Sequence, residues 1–153
     1  MTTFPFDPIA RIWVNARAKR RSYASLITAL EKGMKLAKRK DDNPPTTQHH
    51  ALWTHIIGIE IWSQKKLATF LGEPDGAADY DPYRPPQDTP WDDLYPLLEK
   101  VRADTITLAK RLEQAKISDD AVVFHKGWGN LTAKGWLLYI ITHADFEFKK
   151  IML

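Results

Sequence analysis

Leu94, Leu98, Val101, Thr105, Leu108, Leu112 and Ala115 follow one another alternately four and three residues apart. That spacing lines one face of an α-helix and would scatter the same side chains over both faces of a strand. Three further blocks repeat the pattern. Tyr23, Ile27, Leu30, Met34 and Ala37 form one stripe, and Leu52, His55, Ile59 and Trp62 a second. Trp136, Ile140, His143, Glu147 and Ile151 form the third, on the terminal block. No block alternates with period two, so the expected fold is all-α, a four-helix bundle in one domain over residues 1–153.

Boundaries follow from the breakers between blocks. "FDPIARIW" offers Asp7 as an N-cap with Pro8 at the first helical position. Arg20 falls on the projected stripe of the first block, which argues for a break or bend near "AKRRS", so residues 8–39 form one bent helix or two. The block ends at "RKDDNPP". Thr46 or Thr47 caps the second helix, which is ended by Gly72. Residues 72–89 contain four prolines and read as a long loop. Thr89 is the expected cap of the third helix, with Pro90 at its first position and Pro96 disturbing its first turns. "ISDDAVVFHKGWGN" reads as a loop leading into a final helix from Leu131 or Thr132. The loop of residues 72–89 is long enough to run the length of a bundle at about 3.3 Å per residue, which lets the second and third helices lie parallel.

Composition narrows the chemistry. The absence of cysteine rules out disulfides, thiolate ligands and a cysteine nucleophile, so a metal site must draw on His, Asp, Glu or water. No apolar run approaches the roughly 18 residues of a membrane span, and "MTTFPFDP" lacks the order of a secretory signal, so a cytoplasmic location with no membrane partner is expected. The net charge of +3 is divided unevenly. Residues 11–40 hold ten Lys/Arg against Glu31, or +9, and the remainder holds twelve against eighteen acids, or −6. A basic helix can track phosphates, but no nucleic-acid signature accompanies the charge, and a solvated face is the reading preferred.

His143 and Glu147 interrupt a core stripe one turn apart, and His55 does the same in the second block. Ionisable groups on a core face need partners, because an unpaired buried charge is costly. His55 lies about nine residues into its helix, roughly 14 Å from the start at about 1.5 Å per residue. His143 and Glu147 lie roughly 15 and 9 Å from the end of theirs at the same rise. With the second and fourth helices antiparallel the three come level; a parallel arrangement matches the depths less well. Two histidines and a carboxylate between helices make a set of three ligands with open positions, suited to Zn, Ni, Fe or Mn. No "HExxH" is present, which disfavours protease chemistry. Taken singly, His55 would be a satisfied core histidine and Glu147 a partner of Lys149 or Lys150. Trp53, Trp62, Trp136 and Phe146 are expected to pack the core, with an aromatic binding pocket at the bundle mouth as the lesser alternative.

The segments "HIIGIEIWSQKKLATFLGEP" and "GNLTAKGWLLYIITHADFEFKKI" resemble the second and fourth helices of the DinB-like proteins, metal-binding four-helix bundles that include thiol-dependent transferases. The resemblance spans about residues 20 to 153 and implies an up-down-down-up bundle. It also implies a metal triad of one His from the second helix and two from an H-x-x-x-H in the fourth. His55 and His143 match the first two ligands; Glu147 stands at the third, and Phe148, Lys149 and Lys150 replace the Arg-Gly-Gln that often follows. The expected function is a divalent-metal-dependent enzyme of this kind, a thiol-dependent transferase or hydrolase, with Zn or Ni ahead of Fe or Mn. Its partner would be a small-molecule substrate and not nucleic acid, and nothing in the sequence bars a homodimer. The alternative is a non-catalytic bundle that binds a small ligand or a partner protein. The sequence names no base or nucleophile.

Overall fold

A computed structural model of the chain describes residues 8–41 and 46–150. Asp7 and Ile151, the expected N-cap and the last residue of the terminal stripe, lie outside the described residues. The described chain is mostly helical. Its α-helices are α1 (Pro8–Lys19), α2 (Tyr23–Asp41), α3 (Thr47–Thr69), α4 (Trp91–Gln114) and α5 (Ala133–Lys150). The expected disturbance at "AKRRS" is a full break that separates α1 from α2. It keeps Arg20 exposed and frees Leu26 and Leu30 to be fully buried.

A short antiparallel hairpin, β1 (Val123–His125) and β2 (Gly129–Leu131), stands where a plain loop was expected and corrects the purely helical reading. Its register pairs Val123 with Leu131 and His125 with Gly129, and Gly129 takes a positive φ of 78° as the chain turns into β2. Asn15 of α1 ties this hairpin to the start of α5: its Nδ2 donates to Asn130 O at 2.9 Å and its Oδ1 accepts from Thr132 N at 3.1 Å. Thr132 caps α5 through its Oγ1, which accepts from Gly135 N at 3.0 Å.

Thr46 is the N-cap of α3, its side chain accepting from His49 N. Thr89 does not cap α4. Pro90 occupies the cap position, and Thr89 Oγ1 instead donates back to Pro86 O at 2.7 Å. Helix α4 starts before Pro96 and continues through it. The long connection after α3 folds back along that helix around a 3-10 turn at Asp81–Tyr83. Trp62 Nε1 donates to Ala77 O, Lys66 pairs with Asp75, and Arg84 donates to Thr54 Oγ1 and Ala51 O.

Side-chain pairs give the helix directions. Trp53 meets Phe148, His55 meets His143 and Trp62 meets Trp136, so α3 and α5 run antiparallel. Trp53 meets Trp91 and Glu60 meets Arg102, so α3 and α4 run parallel. The stripes read from the sequence supply the core: Leu94, Leu98, Val101, Leu108 and Leu112 of α4 are buried, while Ala115 lies just past the helix end and is exposed. Trp53, Trp62 and Trp136 are buried as expected; Phe146 is not, at 40% exposure. No helix among the described residues is long and apolar enough to cross a membrane.

Candidate metal centre

Antiparallel α3 and α5 bring the sequence-selected residues together. His55 Nε2 and His143 Nε2 are 3.2 Å apart, and His143 Nε2 lies 3.8 Å from Glu147 Oε1. The potential ligand atoms of all three lie within 4.8 Å of one another. His143 and Glu147 are buried and His55 is half-buried. Two nitrogens on one tetrahedral ion at about 2.0 to 2.1 Å stand roughly 3.3 Å apart, so the imidazole pair already has the spacing of neighbouring ligands. The donor set of two imidazoles and a carboxylate also suits a borderline divalent ion. The group could therefore hold a metal ion.

Burial sets the protonation. It pushes His143 down to about 3, helped by the neighbouring His55, and lowers His55, whose shift is partly offset by Glu147. Both rings are thus neutral near pH 7. Facing each other through Nε2, one must donate its N–H to the other's lone pair. Taking up a cation requires that proton to leave Nε2. Glu147 is held by Lys150, whose Nζ lies 3.1 Å from both carboxylate oxygens, the pairing anticipated from sequence. A cation taken up by the triad would compete with Lys150 for the Glu147 carboxylate.

The triad forms part of the wall of a cavity of about 250 Å³. Trp62 of α3, Tyr80 and Asp81 from the connection, Lys126 and Trp128 from the hairpin, and Tyr139 of α5 also line it. Tyr80 stacks edge-on against His55, with ring centroids 4.9 Å apart, and Tyr139 lies tilted against His143 at 5.8 Å. Burial raises both phenols, so both are neutral donors or acceptors at ordinary pH. Of the aromatic residues considered from sequence for a pocket, Trp62 lines this cavity; Tyr80, Trp128, Tyr139 and His125 were missed. The signal available was the run His125-Lys126-Gly127-Trp128-Gly129, a turn flanked by two large rings.

No family model matches the chain, and no curated protein or solved structure matches it either.

Proposed function

We propose that the chain is a divalent-metal-dependent enzyme of the DinB-like kind, built as an up-down-down-up four-helix bundle. His55, His143 and Glu147 hold the ion. The observation that carries this reading is the convergence of three potential ligand atoms within 4.8 Å at one wall of an aromatic cavity. The antiparallel α3 and α5 and the parallel α3 and α4 support the topology. Zn or Ni is the ion preferred, with Fe or Mn as alternatives, because two imidazoles and one carboxylate leave open positions without demanding an all-oxygen set. A divalent ion there would supply a Lewis acid that lowers the pKa of a thiol or water, which fits a thiol-dependent transferase or hydrolase. The chain's own contribution is to present two neutral imidazoles and to surround the substrate with Trp62, Tyr80, Trp128 and Tyr139.

A second reading has its own observation. The His55–His143 hydrogen bond and the Glu147–Lys150 pair satisfy these groups with one another, as a non-catalytic ligand-binding bundle would need. Metal content separates the two. Protein purified without a metal-affinity tag should carry about one divalent ion per chain by elemental analysis. After stripping, Zn or Ni at about 100 times its dissociation constant should stabilise the fold by roughly 2.7 kcal/mol. His143→Ala should abolish most of that shift. If neither ion moves the melting temperature, the non-catalytic reading stands.

A further inference from the structure

Tyr139, His143 and Glu147 follow one another at intervals of four on α5, so the phenol shares a helix face with two of the three potential ligands. Its ring is held in place. It packs against His125, Trp128 and His143 with centroids 4.4, 5.4 and 5.8 Å away. His125 is itself fixed, because its Nδ1 accepts from both Gly127 N and Trp128 N at 2.9 Å. The Tyr139 hydroxyl, by contrast, is unheld. Among the described residues, the enclosed side-chain atoms without a hydrogen-bond partner are His49 Nδ1, Trp53 Nε1 and His125 Nε2. Tyr139 Oη makes no hydrogen bond there either, yet it is not one of these enclosed atoms, so it opens on free space. Tyr139 is buried at 4% exposure overall, and the cavity it lines is the one walled by the triad. Glu147 and Tyr80, which line the same cavity, are the groups whose charge the phenol senses, and Coulomb interaction fades with distance, so Oη lies on their side. A fixed, neutral O–H that opens on a cavity and has no partner is a donor available to a ligand.

We propose that Tyr139 Oη is the specificity-determining donor of this site, giving a hydrogen bond to an acyl-type oxygen of a ligand seated at the triad. The inference rests on the metal-centre reading, because a divalent ion is what would draw such an oxygen to this wall. Charge permits it. Lys126 pairs with Asp79 and Lys150 with Glu147, which leaves the exposed Asp81 in the wall, and a divalent ion outweighs that one carboxylate. The rings of Trp62, Tyr80 and Trp128 and a volume of about 250 Å³ favour a small aromatic body. A neutral phenol already in place needs no reorganisation as negative charge grows on the acyl oxygen, which is how this donor would assist acyl transfer or hydrolysis.

The test compares two zinc-seeking probes on zinc-loaded, full-length protein. N-methylbenzohydroxamate offers acyl-type oxygens and no N–H, whereas thiophenol offers sulfur and no oxygen. Calorimetric titration of stripped protein should first show zinc binding the wild type and Tyr139→Phe alike, because the phenol is not a ligand. Tyr139→Phe keeps the ring and removes the hydroxyl, and it should weaken N-methylbenzohydroxamate by about tenfold while leaving thiophenol unchanged. A second arm needs no variant. In wild-type protein labelled with ¹³C at tyrosine Cζ, the Tyr139 resonance should move with N-methylbenzohydroxamate and stay in place with thiophenol. An unchanged hydroxamate affinity in Tyr139→Phe, an equal loss for both probes, a Cζ resonance that the hydroxamate leaves unmoved, or failure of the hydroxamate to bind would each overturn the inference and leave the metal centre standing. Failure of zinc to bind the wild type would sink the metal reading and this inference with it, and the first titration tells the two failures apart.

Discussion

At the scale of single residues, Glu147 is contested. Lys150 Nζ lies 3.1 Å from both of its oxygens, against 3.8 Å from Glu147 Oε1 to His143 Nε2, and the pair sits where water screens it little. A divalent ion must displace that ammonium or share the carboxylate with it. Lys150→Met should therefore tighten divalent binding by roughly tenfold, the size of one charge-assisted hydrogen bond. Glu147→Gln should weaken binding instead, and calorimetric titration of stripped protein reads both; a Lys150→Met affinity at or below the wild-type value would refute the competition. His125 and His143 also make stability depend on pH. Their folded values of about 4 and about 3 lie below the ordinary 6.5, so below pH 6.5 the unfolded chain takes up protons that the folded chain refuses. Stability contributed by the neutral rings is complete above 6.5 and is lost as pH falls toward the folded values. At pH 5 the loss is on the order of 2 kcal/mol per histidine. Urea denaturation of stripped protein at pH 7 and pH 5 should show the drop, and His125→Phe should remove its share; an unchanged slope in that variant would contradict the linkage.

At the scale of elements, α2 and α4 cross at Gly33. An added Cβ there would stand 2.7 Å from Arg102 Nη1. Arg102 cannot easily retreat, because Nη1 donates to Leu30 O while Nε and Nη2 hold the two oxygens of Glu60, of which Oε2 also accepts from Thr105 Oγ1. Alanine is the better helix former by about 1 kcal/mol, yet Gly33→Ala should destabilise by about 1 to 3 kcal/mol through overpacking. Arg102→Met should cost about 3 to 5 kcal/mol by leaving Glu60 buried and unpaired. Thermal and urea unfolding check both, and a stabilised Gly33→Ala would show that Arg102 has room. This crossing marks the limit of what spacing reveals. Long stripes such as Leu94 to Leu112 were legible because burial repeats many times at one period. The depths of His55 and His143 were legible because helix rise is constant. Three-residue strands are too short to show alternation, and β1 and β2 rest on Asn15 and on the turn at Gly129. The role of His125 depends on backbone N–H groups, which no side-chain pattern records. Thr89 misled because Pro90 itself takes the extended backbone of the cap, with ψ 141°, so α4 begins one residue later than expected.

At the scale of the whole molecule, the charge division places +9 on residues 11–40. In the fold these charges belong to α1, α2 and the break between them, and Arg17, Lys19, Arg20, Lys32, Lys35 and Lys38 are all exposed. Exposure alone would suit a phosphate-tracking surface, so the arrangement decides. Apart from Arg11, the cations fall into two groups, at residues 17–21 and 32–40, separated by 11 positions along the chain. Several have local work already. Arg21 donates to Ser25 Oγ and Ser25 O, and Lys38 Nζ lies 4.8 Å from the Tyr95 ring centroid. Single-strand binding needs a row of aromatic platforms among the cations. Tyr23 is half-buried beneath Lys134, and Trp13, at 58% exposure, is the exposed aromatic on this surface among the described residues. One ring does not make a row. The expected outcome is weak binding to duplex and single-stranded nucleic acid at low salt that fades steeply as salt rises, since counterion release is all that drives it. At about 0.15 M salt, where the Debye length is near 8 Å, fluorescence anisotropy should find no submicromolar affinity. A submicromolar dissociation constant there, reduced by Trp13→Ala, would make α1 and α2 a nucleic-acid face.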